Sequence, residues 1–219
     1  MSVTLTPVFS PPKPQALEIA GPAGVLEALW EEPAPADAGL AALVCHPHPL
    51  YGGSMTNKVV HMAARALHER GIATLKFNFR GVGRSAGAFD EGNGETQDAL
   101  AALATLTALK PAAKILVAGF SFGAYIAYKV ATQRRIERLI LIAPPVQRFQ
   151  FASEPVPTMP WYVIQGDRDE LVDHHAVLAW AKDLSPPPTV QMLPGAEHFF
   201  HGRMTDLKAC VQQCLINSV

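Results

Sequence analysis

The chain has 219 residues, of which 49% are hydrophobic and 17% are charged. This composition is typical of a globular protein with a large core, and it excludes an intrinsically disordered chain. Eighteen lysines and arginines oppose 19 aspartates and glutamates, which gives a formal net charge of −1. Since no basic surface is expected, nucleic acid and membranes are excluded as partners. We expect a single domain over residues 1–219.

The cysteines and the N-terminal region indicate the compartment. Cys45, Cys210 and Cys214 show no C-x-x-C spacing and are expected to be small core residues. The first 20 residues contain no basic segment followed by a long apolar run, so no signal peptide is predicted. No apolar stretch reaches the length of about 18 residues that a membrane-spanning helix needs. These features favour a cytoplasmic protein.

The hydrophobic pattern predicts a hairpin followed by alternating strands and helices. Short strands at 17–20 and 25–30 flank a turn that contains Gly21 and Gly24. Further strands are predicted at 40–45, 72–77, 115–118, 139–143, 162–165 and 189–193, and helices at 56–70, 96–109, 122–132, 173–183 and 204 to about 216. Such alternation indicates an α/β fold with a mostly parallel sheet and helices on both faces. Functional groups are then expected in the loops at the carboxyl ends of the strands.

The segment Gly119-Phe-Ser-Phe-Gly123 lies directly between a predicted strand and a predicted helix. A G-x-S-x-G pattern in this context predicts a nucleophile elbow, in which a tight turn exposes the serine hydroxyl at the edge of the sheet. The turn also places Ser121 at the N-terminal end of the following helix, where the helix dipole stabilises negative charge. We therefore predict that Ser121 is the catalytic nucleophile.

A serine nucleophile needs an imidazole base, and an acid to orient that base. In this type of fold the acid and then the histidine follow the serine, each after a later strand. The last strand–helix loop contains His198, which we predict to be the base, with His201 as the alternative. The loop after strand 162–165 contains Asp169, which lies far enough into the loop to reach His198 and is the predicted acid. Asp167 and, more distantly, Glu170 remain alternatives.

The oxyanion of an acyl-transfer intermediate is bound by backbone N–H groups, one from the residue after the nucleophile and one from an earlier loop. The first donor is predicted to be Phe122. The second is expected in the loop after strand 40–45, where the prolines lack an N–H group and His48 is the inner candidate. Leu50 and Tyr51 remain possible donors if the loop curls further.

Two other patterns are weaker. The two histidines of His46-x-His48 could be metal ligands, but no third ligand with suitable spacing follows, so we expect no metal. The glycines of segment 81–87 resemble a dinucleotide-binding fingerprint, but the third glycine is displaced and a loop over 88–94 is expected where a pyrophosphate site requires a helix. No cofactor is therefore predicted.

Taken together, these motifs resemble those of the α/β-hydrolase superfamily, and within it the short, lidless serine hydrolases of the bacterial dienelactone-hydrolase-like group. By this resemblance the acid of the family falls on Asp169 and the histidine on His198. Ser121 stands where dienelactone hydrolases proper have a cysteine. The motifs that carry the resemblance are HPHPLYGGSMTNKVV (46–60), FNFRGVGRSAGAFDEG (77–92), GFSFG (119–123), GDRDELV (166–172) and PGAEHFF (194–200).

Larger members of this superfamily often insert a helical lid between the sixth and seventh strands. Here the corresponding segment, residues 144–160, contains five prolines and cannot form a helical hairpin. We therefore expect no lid and an open site. The predicted function is the hydrolysis of small carboxylic esters by Ser121, His198 and Asp169. The alternatives are a thioesterase or peptidase with the same residues, and a hydrolase-fold binding protein without activity.

Overall fold

The computed structural model describes residues 13–33 and 38–216. Residues 1–12, most of the segment in which no signal peptide is predicted, lie outside the described residues. Eight strands form one sheet: β1 (Gln15–Gly21), β2 (Gly24–Glu31), β3 (Leu40–Cys45), β4 (Ala73–Phe77), β5 (Lys114–Phe120), β6 (Arg138–Ile142), β7 (Trp161–Gly166) and β8 (Thr189–Leu193). Their spatial order is β1-β2-β4-β3-β5-β6-β7-β8. From β4 to β8 all neighbours are parallel, which confirms the predicted mostly parallel sheet.

Helices cover both faces of this sheet. They are α1 (Lys58–His68), α2 (Asn93–Leu109), α3 (Phe122–Gln133), α4 (His174–Lys182) and α5 (Met204–Gln213). Helices α1 and α5 pack on one face, and α2, α3 and α4 pack on the other. Because side chains alternate along a strand, Leu43 of β3 lies in one core and Val44 in the other. Both faces are therefore buried, as the continuous apolar run of β3 predicts.

The predicted N-terminal hairpin is confirmed. Strands β1 and β2 pair antiparallel, and the turn between Gly21 and Gly24 has two residues. In β2, Leu26, Ala28 and Trp30 are buried and alternate with more exposed positions, so one side of the hairpin packs on the core. Strand β2 also pairs antiparallel with β4, which attaches the hairpin to the parallel part of the sheet.

Helix α2 begins at Asn93, three residues earlier than the sequence pattern predicts, and the loop expected over 88–94 is correspondingly shorter. The buried Glu95 carboxylate accepts hydrogen bonds from the backbone N–H groups of Asp90 and Gly92, both at 2.8 Å. It thereby satisfies two donors at the start of the helix. The polar run Asn93-Gly-Glu95 is thus a helix start that the apolar periodicity does not reveal.

The segment between β6 and β7 contains only one short 3₁₀ turn, Phe151–Ser153, and no helical hairpin. Phe149 stacks on Tyr125 of α3 with ring centroids 5.0 Å apart, and the Phe151 side chain is buried against the same helix. The expectation that the fold lacks a lid is therefore confirmed. Within the described ranges, no helix combines the length and the apolar character that a bilayer crossing requires.

Candidate active site

Ser121 lies between β5 and α3 in a strained backbone conformation. Its φ and ψ are 55° and −120°, a region that residues other than glycine rarely adopt. The Ser121 N–H donates to the carbonyl of Ile142 at the end of β6, at 2.8 Å, and the Ser121 carbonyl accepts from Ala124 N–H at 2.8 Å. The strand end and the helix start thus hold the turn, and the predicted elbow geometry is present.

The two glycines of the elbow are required by close backbone approach. A Cβ at Gly119 would overlap the carbonyl oxygen of Gly123. A Cβ at Gly123 would in turn overlap the carbonyl oxygens of Cys45 and His46, at the end of β3. Helix α3 therefore approaches the neighbouring strand more closely than any side chain would allow.

The His198 side chain, buried in the loop after β8, connects Ser121 to Asp169. Its Nε2 lies 3.1 Å from Ser121 Oγ, and its Nδ1 lies 2.8 Å from Asp169 Oδ2. Because an ionised carboxylate only accepts hydrogen bonds, Nδ1 carries the proton and Nε2 presents a lone pair to the serine hydroxyl. This tautomer is the one that a general base needs.

The loops after β7 and β8 are held against each other by hydrogen bonds from both backbone and side chain. The strands are in register up to Gly166 and Leu193. Beyond this pair, Asp167 Oδ1 accepts from Gly195 N–H at 2.5 Å, and Arg168 N–H donates to the Ala196 carbonyl at 3.1 Å. Two segments that are about 30 residues apart in sequence are thereby fixed next to each other, which brings the acid to the base.

The Asp169 carboxylate is fully buried and accepts four hydrogen bonds. Oδ1 accepts from the N–H groups of Leu171 and Val172, and Oδ2 accepts from His198 Nδ1 and Gln165 Nε2. Burial acts to raise the pKa of Asp169, but the hydrogen bonds from His198 and from the two backbone donors outweigh it. The pKa of Asp169 is therefore lowered, and this side chain is ionised at neutral pH.

The alternative acids and the alternative base occupy other positions. Asp167 is used in the contact between the two loops, as described above. Glu170 accepts a hydrogen bond from the backbone N–H of His198 at 3.2 Å and so contacts the base through the main chain alone. His201 is exposed, and its Nδ1 lies 3.4 Å from Glu197. The structure thus brings together Ser121 and the two residues preferred from sequence.

Two backbone N–H groups are free to bind an oxyanion. In the described part of the chain, neither Phe122 N–H nor His48 N–H has a hydrogen-bond acceptor. The alternatives in the earlier loop are engaged within a 3₁₀ turn, since Leu50 N–H donates to His48 Nδ1 and Tyr51 N–H donates to the His48 carbonyl, both at 3.2 Å. The geometry therefore favours His48 over Leu50 and Tyr51.

His46 orients the peptide group that contains the His48 N–H. The His46 ring is completely buried; Nε2 accepts from Phe79 N–H at 3.0 Å, so Nδ1 is protonated and donates to the Pro47 carbonyl at 2.6 Å. In a trans peptide the N–H points opposite to the C=O. The His48 N–H is therefore directed away from His46. Burial lowers the pKa of His46 to about 4, so the ring is neutral.

Because both ring nitrogens of His46 take part in hydrogen bonds, His46 and His48 cannot bind a metal ion together. Among residues 13–33 and 38–216, no group of three or more histidine, cysteine or acidic side chains is arranged to hold a metal ion.

A cavity of about 460 Å³ opens directly above Ser121 and His198. This volume is in the range of small-molecule sites. Its walls are mostly apolar and include Phe122, Phe149 and Phe199. Arg148, which belongs to none of the sequence motifs, also lines it. As the one basic residue in the proline-rich segment 144–160, it could have been found from its position between β6 and β7.

Comparisons with known proteins decide the family. The model of the alpha/beta hydrolase domain family matches residues 43–215. The chain belongs to the alpha/beta-hydrolase family. It is 44% identical to a Xanthomonas campestris protein described as an a/b serine hydrolase without lid, with a TM-score of 0.90 over 96% of this chain and 97% of the other. An alpha-beta serine hydrolase homologue from Coxiella burnetii is 43% identical, with a TM-score of 0.89 over 92% and 97% of the two chains.

A further relative, an uncharacterized protein of Rickettsia prowazekii, is 37% identical over 90% of this chain and 86% of its own length. The family and its lidless serine hydrolases identify this alpha/beta hydrolase as an enzyme of the hydrolase class. The predicted superfamily and fold are therefore confirmed.

Proposed function

We propose that this alpha/beta hydrolase is a serine carboxylesterase that cleaves small esters through an acyl-enzyme intermediate. The observation that carries the proposal is the continuous chain of hydrogen bonds from Ser121 Oγ through His198 to Asp169. The open cavity above it suits a small substrate. We also propose a cytoplasmic location, which is supported by the three cysteines being free.

In the first half-reaction, Ser121 Oγ attacks the acyl carbon while His198 Nε2 takes the hydroxyl proton. The carbonyl oxygen becomes an oxyanion that accepts hydrogen bonds from the N–H groups of Phe122 and His48. The imidazolium is stabilised by the ionised Asp169. As the carbon–oxygen bond to the alcohol breaks, His198 donates the proton to the departing oxygen.

In the second half-reaction, a water molecule attacks the acyl-enzyme. His198 takes a proton from this water, and a second oxyanion forms in the same position. When the bond to Ser121 Oγ breaks, His198 returns the proton to the serine, and the carboxylic acid product leaves. The cavity is open to solvent, so water reaches the acyl group without movement of a lid.

Replacing the nucleophile tests this proposal. The Ser121→Ala variant is expected to lose p-nitrophenyl acetate hydrolysis by a factor on the order of 10³ or more in kcat/KM, because the residues of such a site act as a unit. Ser153→Ala, which alters an exposed serine on the 3₁₀ turn away from the cavity, is the matched control. Circular dichroism would verify that both variants fold. Esterase activity of Ser121→Ala close to that of the control would contradict the proposal.

A further inference from the structure

The wall of the cavity contains an unbalanced positive charge. Arg148 lines it, and none of the residues that line it is an aspartate or glutamate. Among the described residues, no carboxylate lies within ion-pairing distance of the Arg148 guanidinium. Arginine is charged at all physiological pH values. A bound substrate therefore meets a cation that is not paired with any carboxylate of residues 13–33 and 38–216.

Apart from His198 at the reacting centre, His48 is the one other residue of the cavity wall that could carry a positive charge. Burial lowers the pKa of His48, which favours the neutral ring. Its Nδ1 accepts a hydrogen bond from Leu50 N–H, as a neutral ring can. Arg148 is thus the source of the charge.

The backbone that carries Arg148 is well anchored. Its N–H donates to the Pro145 carbonyl at 3.0 Å, and the N–H of Phe149 donates to the same oxygen at 3.2 Å. The next side chain, Phe149, is packed against the rings of Phe122 and Tyr125 at centroid distances of 5.3 and 5.0 Å. The turn that carries Arg148 is therefore held in place, so that binding a ligand there orders the side chain but costs little backbone entropy.

We infer that the preferred substrate is an ester with an apolar body and an anionic group, such as a carboxylate, away from the scissile bond, and that Arg148 binds this group. The inference rests on the proposed esterase function. Apolar walls accommodate the body of the molecule, with Leu171 and Phe199 partly exposed at the opening. A guanidinium binds a carboxylate through two parallel hydrogen bonds. Arg148 is then a specificity-determining residue, and the reaction that supplies the substrate must produce an acidic ester.

Matched pairs of esters test the inference. The p-nitrophenyl hemiester of glutaric acid carries the anion on the acyl half, and its methyl ester is the neutral counterpart. Para-acetoxybenzoate carries the anion on the alcohol half, and para-acetoxybenzamide is its neutral counterpart. The quantity measured is the ratio of kcat/KM for the anionic ester to kcat/KM for the neutral one. The pair whose ratio falls in Arg148→Gln identifies which half of the substrate lies against Arg148.

In at least one pair, Arg148→Gln is expected to lower this ratio about tenfold, as for loss of a hydrogen bond to a charged group. Arg148→Glu should lower it further, and added salt should lower it in the wild type. The control is Lys58→Gln, which removes a positive charge from the adjacent depression without altering the cavity above Ser121, and should leave the ratio as in the wild type.

An unchanged ratio in Arg148→Gln for both pairs, or an equal fall in Lys58→Gln, would overturn the inference while leaving the esterase proposal intact. If the wild type hydrolyses none of the four esters, the esterase proposal itself fails.

Discussion

Asp169 accepts two hydrogen bonds on each carboxylate oxygen, and the donors on the two sides differ in kind. The N–H groups of Leu171 and Val172 belong to the backbone and cannot change their role. The donors of Gln165 and His198 belong to side chains, and these can change their role. The Gln165 amide can exchange its nitrogen and oxygen, and its Oε1 has no partner among the described residues. The His198 imidazole can change tautomer.

This asymmetry predicts the effect of Asp169→Asn. The asparagine oxygen is expected to face the two backbone N–H groups, so its NH₂ group faces His198. The imidazole then carries its proton on Nε2, where it cannot accept the proton of Ser121. We expect esterase activity at neutral pH to fall by a factor on the order of 10⁴ in kcat, with the fold retained. Steady-state kinetics with p-nitrophenyl acetate would show this, and a loss below tenfold would contradict the predicted tautomer.

His46 gives a prediction for stability against pH. Its pKa is about 4 in the folded protein, against 6.5 for an unperturbed histidine. Between these values the unfolded chain binds a proton that the folded protein does not, so stability falls as pH falls from about 6.5 to about 4. This one group is expected to lower the free energy of unfolding by about 2.5 kcal/mol between about pH 7.5 and about pH 4.5.

Urea denaturation of wild type and His46→Gln at the two pH values measures this contribution. The variant is less stable at neutral pH, because the contacts of the ring to Pro47 and Phe79 are lost, but its stability should depend less on pH. His175→Gln, an exposed substitution on α4, should keep the wild-type dependence. If the stability of His46→Gln depends on pH as strongly as that of the wild type, His46 is not the titrating group.

At the scale of the element, the contact between α3 and β3 depends on the absence of side chains. A Cβ at Gly123 would meet backbone carbonyls, which cannot rotate away. Gly123→Ala is therefore expected to lower the free energy of unfolding by about 3 kcal/mol. Gly202→Ala is the control: its φ of 70° is unfavourable for alanine, but nothing lies within 4 Å of the added carbon. There the cost should be about 1 kcal/mol. Equal losses in urea denaturation would contradict the close-approach account.

Elements with a local signal were predictable from sequence. Strand β3 occupies the six residues of its apolar run, and α1 follows the predicted stripe but begins at Lys58, because Asn57 caps it with its side chain. The start of α2 was not predictable from periodicity. It depends on a buried glutamate that is satisfied by backbone groups of the preceding loop, and apolar spacing carries no information about such contacts.

At the scale of the whole molecule, the chain order of Ser121, Asp169 and His198 indicated which strand ends should meet. Asp169 is preferred to Asp167 because it lies far enough into the loop to reach His198. In the structure, Asp167 joins the loops after β7 and β8, and Asp169 contacts His198. The position of Arg148 between β6 and β7 marks it in the sequence, but its place in the cavity wall and the buried role of His46 could not be derived from sequence. Both follow from how separate segments pack around the cavity, which no single stretch of sequence encodes.

The central claim is that the sheet brings these three side chains together so that Ser121 becomes reactive. Labelling with a fluorophosphonate, followed by mass spectrometry of the proteolysed protein, tests it most directly, because this reagent modifies a serine hydroxyl only when a neighbouring base activates it. We predict a single adduct on Ser121 in the wild type, and none in Ser121→Ala. An unmodified wild-type protein, or an adduct on a different residue, would contradict the claim.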